Sequence, residues 1–71
     1  MTVMQEMRAA AGRLDELIAF VQAHANAQAQ LYRSADGPPR VVVIDPSGSG
    51  ISDVPPELVT RPPNRWTFEP I

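Results

Sequence analysis

The sequence predicts a small α+β protein, in which one long N-terminal amphipathic helix is followed by an extended, proline-rich arm with one to three short β-strands. The chain has 71 residues, about half the length of a common single domain. Its composition changes near Arg33: residues 1–33 contain no proline and eight of the nine alanines, whereas residues 34–71 contain all eight prolines. We therefore divide the chain into a helical segment, 1–33, and an arm, 34–71.

From Met4 to Tyr32, residues that are apolar except for Gln28 recur at alternating intervals of three and four, which is the heptad pattern of a coiled coil. Thr2 is a suitable N-cap, and Gln5 three residues later completes a capping-box pattern. A second apolar row repeats every seven residues beside the first, so the stripe is broad enough for a bundle or for docking on another surface. The residues expected at this helix interface are Met4, Met7, Ala11, Leu14, Leu17, Ile18, Val21 and Leu31.

The arm begins with the turn-forming residues 34–39, which include Gly37 and end the helical pattern. Residues 40–45 contain four consecutive β-branched apolar residues and predict a strand. Residues 51–54 and 65–69 are candidates for two more short strands. The arm residues expected to anchor the chain to a partner are Val41, Val43, Trp66, Phe68 and Ile71.

The residue counts exclude several kinds of site. The chain has no cysteine, which removes disulfides, thiolate metal sites and cysteine nucleophiles, and its one histidine, His24, cannot form a histidine-based metal site alone. Acidic and basic residues nearly cancel to a net charge of −2, so the chain is neither a polyanion nor a polycation. A chain this short without a staple or a metal usually gains stability from oligomerisation or from a larger partner.

No membrane partner is expected, because no apolar run approaches the roughly 20 residues of a membrane-spanning helix. The N-terminal residues also lack the basic stretch and apolar core of a signal peptide. The expected location is the cytoplasm, or a particle that is assembled there.

The segment 45–53 suggests two kinds of ligand-binding loop. Ser47-Gly48-Ser49-Gly50 resembles a phosphate-binding loop, but neither the lysine nor the following helix of a P-loop is present. Asp45 and the residues after it match the first positions of a calcium-binding loop, yet the twelfth position, which needs a carboxylate, is Pro56. A flexible turn explains the composition, and we expect no cofactor and no metal.

Catalytic residues are also not indicated. His24 has no serine or cysteine partner in a recognisable motif, and we expect it on the helix surface or at an interface. Asp15 and Glu16 are adjacent in the predicted helix, so their side chains diverge and do not form an acid/base pair. Nucleic-acid binding would rest on Arg61, Arg65 and Trp66, which form a weak patch within the acidic half of the chain.

The predicted helix is followed by Ala35-Asp36-Gly37 and then by the valine-rich stretch and glycine turn of residues 41–54. This order resembles the start of the YbaB-type nucleoid-associated proteins. The resemblance covers residues 1–54 and implies a small DNA-binding dimer with a long helix followed by a β-meander. The C-terminal helix of that family is absent from this sequence, where residues 55–71 are rich in proline.

These observations predict a non-enzymatic assembly or accessory subunit, which oligomerises or docks through its helix and anchors to a larger protein partner with its C-terminal arm. A structural protein of a multi-subunit particle, such as a phage virion, would fit, as would the small subunit of a complex. The alternative is a homodimeric nucleoid-associated DNA-binding protein of the YbaB type. A further alternative is an antitoxin-like inhibitor.

Overall fold

A computed structural model describes all residues from 1 to 71. The chain forms four β-strands, one α-helix and one short 3-10 helix, and its longest dimension is 38 Å. In chain order the elements are β1 (Thr2–Arg8), α1 (Leu14–His24), β2 (Gln30–Arg33), β3 (Arg40–Asp45), the 3-10 helix (Pro56–Leu58) and β4 (Asn64–Phe68).

The prediction of one long N-terminal helix over residues 1–33 is wrong, because the chain begins with a central strand. Val3, Gln5 and Met7 of β1 are buried, and the residues between them are only partly buried. This alternation is that of a strand. It is hidden in the sequence, because one inward residue is polar, Gln5, while an outward residue is apolar, Met4.

All four strands form one antiparallel sheet in the order β2-β3-β1-β4. β1 and β3 are the central pair, in which Met7 lies opposite Val41 and Gln5 lies opposite Val43. The order and connectivity are those of the split β-α-β arrangement, with the second helix reduced to the single 3-10 turn. The proline-rich segment is therefore part of a compact sheet and not an extended arm.

The only α-helix has 11 residues and starts shortly after Gly12. Gly12 has a φ of +73°, which glycine adopts readily, and it lies in the turn that separates β1 from α1. The helix ends where Ala25 adopts an extended conformation. Leu17 and Val21 of this helix are buried in the core of the same chain. The predicted coiled coil is therefore wrong, since its apolar stripe is divided among β1, α1 and β2. No helix of the chain has the length and apolarity that crossing a membrane requires.

One face of the sheet is covered partly by α1 and partly by the segment between β3 and β4. Ile51, Leu58 and Val59 of that segment are buried in the same cluster as Leu17 and Val21. The segment contains no strand at residues 51–54, contrary to the sequence-based expectation. It covers the sheet as irregular backbone, and its buried N–H and C=O groups therefore need individual partners.

The end of the covering segment obtains these partners from the continuation of β1. Ala9 forms a β-bridge with Val59, and the Ala10 N–H donates to the Leu58 carbonyl at 2.9 Å. The Thr60 N–H donates to the Arg8 carbonyl at 3.0 Å. Backbone pairing thus continues past the end of β1 and holds the 3-10 turn over the core.

The start of the covering segment is held by the side chain of Gln5, which is 3% exposed. Its Nε2 donates to the Ile51 carbonyl at 2.9 Å, and its Oε1 accepts from the Ile51 N–H at 2.7 Å. The amide side chain thereby acts as a strand partner for one residue. Gly50 leaves room for it, because a Cβ there would lie 2.8 Å from the Gln5 Oε1.

We predict that Gln5→Met lowers the free energy of unfolding by roughly 2–5 kcal/mol, because both backbone groups of Ile51 lose their partner while buried. The measurement is urea denaturation at neutral pH. Gln22→Met, an exposed change on α1, is the matched control and is expected to have little effect. Equal midpoints for the two variants would contradict the role of Gln5.

Candidate docking surface

The loop after β3, which carries both ligand-loop patterns, is organised around the buried carboxylate of Asp45. Asp45 Oδ1 accepts from the N–H and from the hydroxyl of Ser47, at 2.9 and 2.6 Å. Its Oδ2 accepts from the Gly50 N–H at 2.9 Å and from Asn26 Nδ2 at 2.6 Å. Four internal donors therefore occupy both carboxylate oxygens.

These contacts determine the charge state of Asp45. Burial alone raises the pKa of this carboxyl group, but the hydrogen bonds from Ser47, Gly50 and Asn26 outweigh it and hold the pKa below its usual value. Asp45 is thus a carboxylate at neutral pH that ties the end of β3 to the loop after α1. The backbone N–H groups that would hold a phosphate, those of Ser47 and Gly50, are directed at this carboxylate.

His24 and the acidic residues of α1 lie away from any cleft. The exposed His24 has its Nδ1 2.8 Å from the Phe20 carbonyl oxygen, and its ring stacks on the Phe20 ring with 4.0 Å between the centroids. Glu16 pairs with Arg13 at 3.1 Å, and Asp15 is exposed. These side chains do not converge on one another to form an acid/base pair.

The second face of the sheet has no helix over it. Directly opposed residues of an antiparallel pair point to the same side, so the register defines the residues of this face. Ile44 is opposite Met4, Met4 is opposite Trp66, and Val42 is opposite Tyr32. We call this surface the open face; its apolar residues are Met4, Tyr32, Val42, Ile44, Trp66 and Phe68.

The aromatic residues contribute most of the exposed apolar area of the open face. Trp66, Phe68 and Tyr32 are 43%, 52% and 53% exposed. Because an aromatic side chain can bury roughly 150–250 Å², the three together offer about 300 Å². A standard interface buries about 800 Å² on each partner, so the three residues correspond to less than half of one side of such an interface.

Charged residues occupy one end of the open face. Glu6 accepts a hydrogen bond from Asn64 Nδ2 at 3.2 Å and forms ion pairs with Arg40 at 3.6 Å and with Arg61 at 3.7 Å. Arg8 lies directly opposite Arg40 on the neighbouring strand. We call Arg8, Arg40 and Arg61 the arginine end.

The structure disperses the residues that were expected at the helix interface. Leu14, Leu17, Ile18 and Val21 lie in α1, and Met7 lies in β1, where it is fully buried. The other expected interface residues are Met4 on the open face, Ala11 in the turn before α1, and Leu31 in β2 on the side of α1.

Of the expected arm anchors, Val41 and Val43 are buried in the chain's own core, and Ile71 is fully exposed beyond β4. Trp66 and Phe68 lie together on the open face. Met4, Val42 and Ile44 join them on this face, although the three were not expected there. The sequence carries no clear signal for this grouping, because the apolar Met4 and the polar Gln5 mask the two-residue alternation of β1.

No protein-family model, no curated protein and no solved structure matches this chain. The order of elements implied by the YbaB resemblance, a long helix followed by a meander, is not that of this chain. Here a strand comes first, and the helix has 11 residues and lies between β1 and β2.

We predict that Asp45→Asn lowers the free energy of unfolding at pH 7 by about 1–3 kcal/mol, because an amide cannot accept all four hydrogen bonds. A carboxyl group whose pKa is depressed by folding stabilises the fold above its unfolded pKa of about 3.9 and loses that contribution as pH falls through the folded pKa. The wild-type chain should therefore lose stability below about pH 4, and the variant should lose less.

Thermal unfolding between pH 7 and pH 2.5 measures this difference. Asp53→Asn is the control, since Asp53 is exposed in the same segment and its φ of 59° is one that asparagine tolerates. Parallel pH profiles for wild type and Asp45→Asn would contradict the prediction.

Proposed function

We propose that the chain is a non-enzymatic assembly or accessory subunit that docks onto a larger protein partner through the open face. The observation that carries the proposal is the row formed by Ile44, Met4 and Trp66 across three neighbouring strands, with Tyr32 and Phe68 beside it. An apolar surface with exposed aromatic residues at its centre is typical of a protein interface.

A protein fits this face better than a nucleic acid does. Sheets that bind single-stranded RNA stack bases on aromatic residues of the sheet surface. Here the outward residues of the central strands include Met4, Glu6, Val42 and Ile44, and none of the outward residues of these two strands is aromatic. The one carboxylate of the face, Glu6, would oppose a phosphate backbone, and the whole chain has a net charge of −2.

A different protein fits better than a second copy of this chain. A second copy stacked face to face would bring its own arginine end, whereas its only open-face carboxylate, Glu6, already serves Arg40 and Arg61. Stacking two copies would therefore add positive charge without new counter-charges. We expect the purified chain to be monomeric, and light scattering after gel filtration measures its mass.

Two neighbouring residues of β2 point to opposite faces of the sheet, so substituting each of them tests whether the open face binds the partner. Tyr32 points to the open face, whereas Leu31 points to the side of α1, although the two are 53% and 36% exposed. We predict that Tyr32→Ala and Trp66→Ala each weaken partner binding about 30-fold or more, as interface anchors do, while Leu31→Ala leaves it within about threefold.

The experiment identifies the partner by photo-crosslinking in the native cell, with the crosslinking residue at position 66 or, as control, at position 19 on the exposed side of α1. The affinity of the identified partner is then measured by calorimetry for the three variants. A homodimer adduct from position 66, or equal losses for Leu31→Ala and Tyr32→Ala, would contradict the proposal.

A further inference from the structure

Two like charges face each other at the arginine end of the open face. Arg8 on β1 and Arg40 on β3 are directly opposed residues, and such a pair of cations is unfavourable in a sheet. Arg61 adds a third cation, and Glu6 is the only carboxylate within 4 Å of any of the three. Three arginines and one glutamate leave a local charge of +2.

Arg8 is the arginine of this group whose charge is unpaired. Its side chain forms no ion pair and donates no hydrogen bond within the chain, although Arg40 and Arg61 both pair with Glu6. The Nε atoms of Arg8 and Arg40 are enclosed and have no acceptor. An enclosed Nε–H cannot reach a ligand outside the chain. The donors that Arg8 offers to a ligand are therefore its terminal Nη groups, which are not enclosed and have no acceptor within the chain.

We propose that Arg8, together with Arg40, binds a carboxylate of the protein that docks on the open face. The proposal rests on the function proposed above and specifies the chemistry of the partner: apolar side chains for the aromatic row, and an aspartate or glutamate beside them. An arginine guanidinium presents its donors in a planar fork that matches a carboxylate. The carboxylate would also relieve the repulsion between the two opposed arginines.

The chain contains a matched control for Arg8. Arg33 also lies in a strand and also lacks an ion pair, but it lies opposite Val41 and hence points to the side of α1. Arg33→Gln and Arg8→Gln change the net charge equally, so a general electrostatic effect would appear in both variants. An effect of the arginine end appears only in Arg8→Gln.

The probe is a library of random 12-residue peptides displayed on phage and selected against the immobilised full-length chain. We expect the peptides recovered on wild type and on Arg33→Gln to combine apolar residues with at least one aspartate or glutamate. Synthetic copies in which glutamine or asparagine replaces that acid should bind wild type at least tenfold more weakly. Against Arg8→Gln, the acidic and the neutral peptides should bind equally.

The outcomes separate this inference from the proposed function. Peptides that need Trp66 but show no acidic preference would overturn the inference and leave the docking proposal standing. Peptides that are indifferent to Trp66→Ala, or a selection that recovers none, would overturn both. Binding of a single-stranded RNA 12-mer more tightly than any acidic peptide would overturn the carboxylate as the ligand, since a phosphate would then be the better match for Arg8.

Discussion

The pairing of the Gln5 side chain with the backbone of Ile51 is the contact on which the rest of this fold depends. One helix of 11 residues covers only part of the inner face of a four-stranded sheet, and irregular chain covers the remainder. Irregular chain brings N–H and C=O groups that must be satisfied one at a time. Gln5 and Asp45 satisfy them at the start of that segment, and the pairing of Ala9 with Val59 satisfies them at its end.

The helix and the segment between β3 and β4 both cover the inner face of the sheet, so no element of the chain remains to cover the outer face. The two faces of β1 differ accordingly: Val3, Gln5 and Met7 contribute to the interior, whereas Met4 joins Trp66 on the outside. Most of the apolar residues that a larger domain would cover with its own elements remain accessible here. This arrangement is the physical basis for our proposal that the chain docks onto a protein partner.

The sequence allowed the prediction of the strand at residues 40–45, because four β-branched residues between turn formers have few other interpretations. The candidate strand at 65–69 also implies that Trp66 and Phe68, which are two residues apart, lie on one face, as they do in the structure. The prediction for the N-terminal third was wrong. The apolar spacing of residues 1–33 fits a helix, whereas the contacts that favour the observed fold join residues far apart in the sequence. The buried Gln5 side chain binds Ile51, and Asn26, just after the helix, binds Asp45 and Ser47. Gly12 was the only local sign in the sequence of the boundary between β1 and α1.

The most direct test of this account is amide hydrogen exchange at Ile51, followed by NMR in the isolated chain. Because Gln5 Oε1 accepts the Ile51 N–H in the interior, that amide should exchange as slowly as the amides of the central strands. The next amide, that of Ser52, makes no hydrogen bond within the chain and should exchange rapidly. Exchange at Ile51 as fast as at Ser52 would mean that Gln5 does not hold this segment, and it would contradict the account of how the inner face is closed.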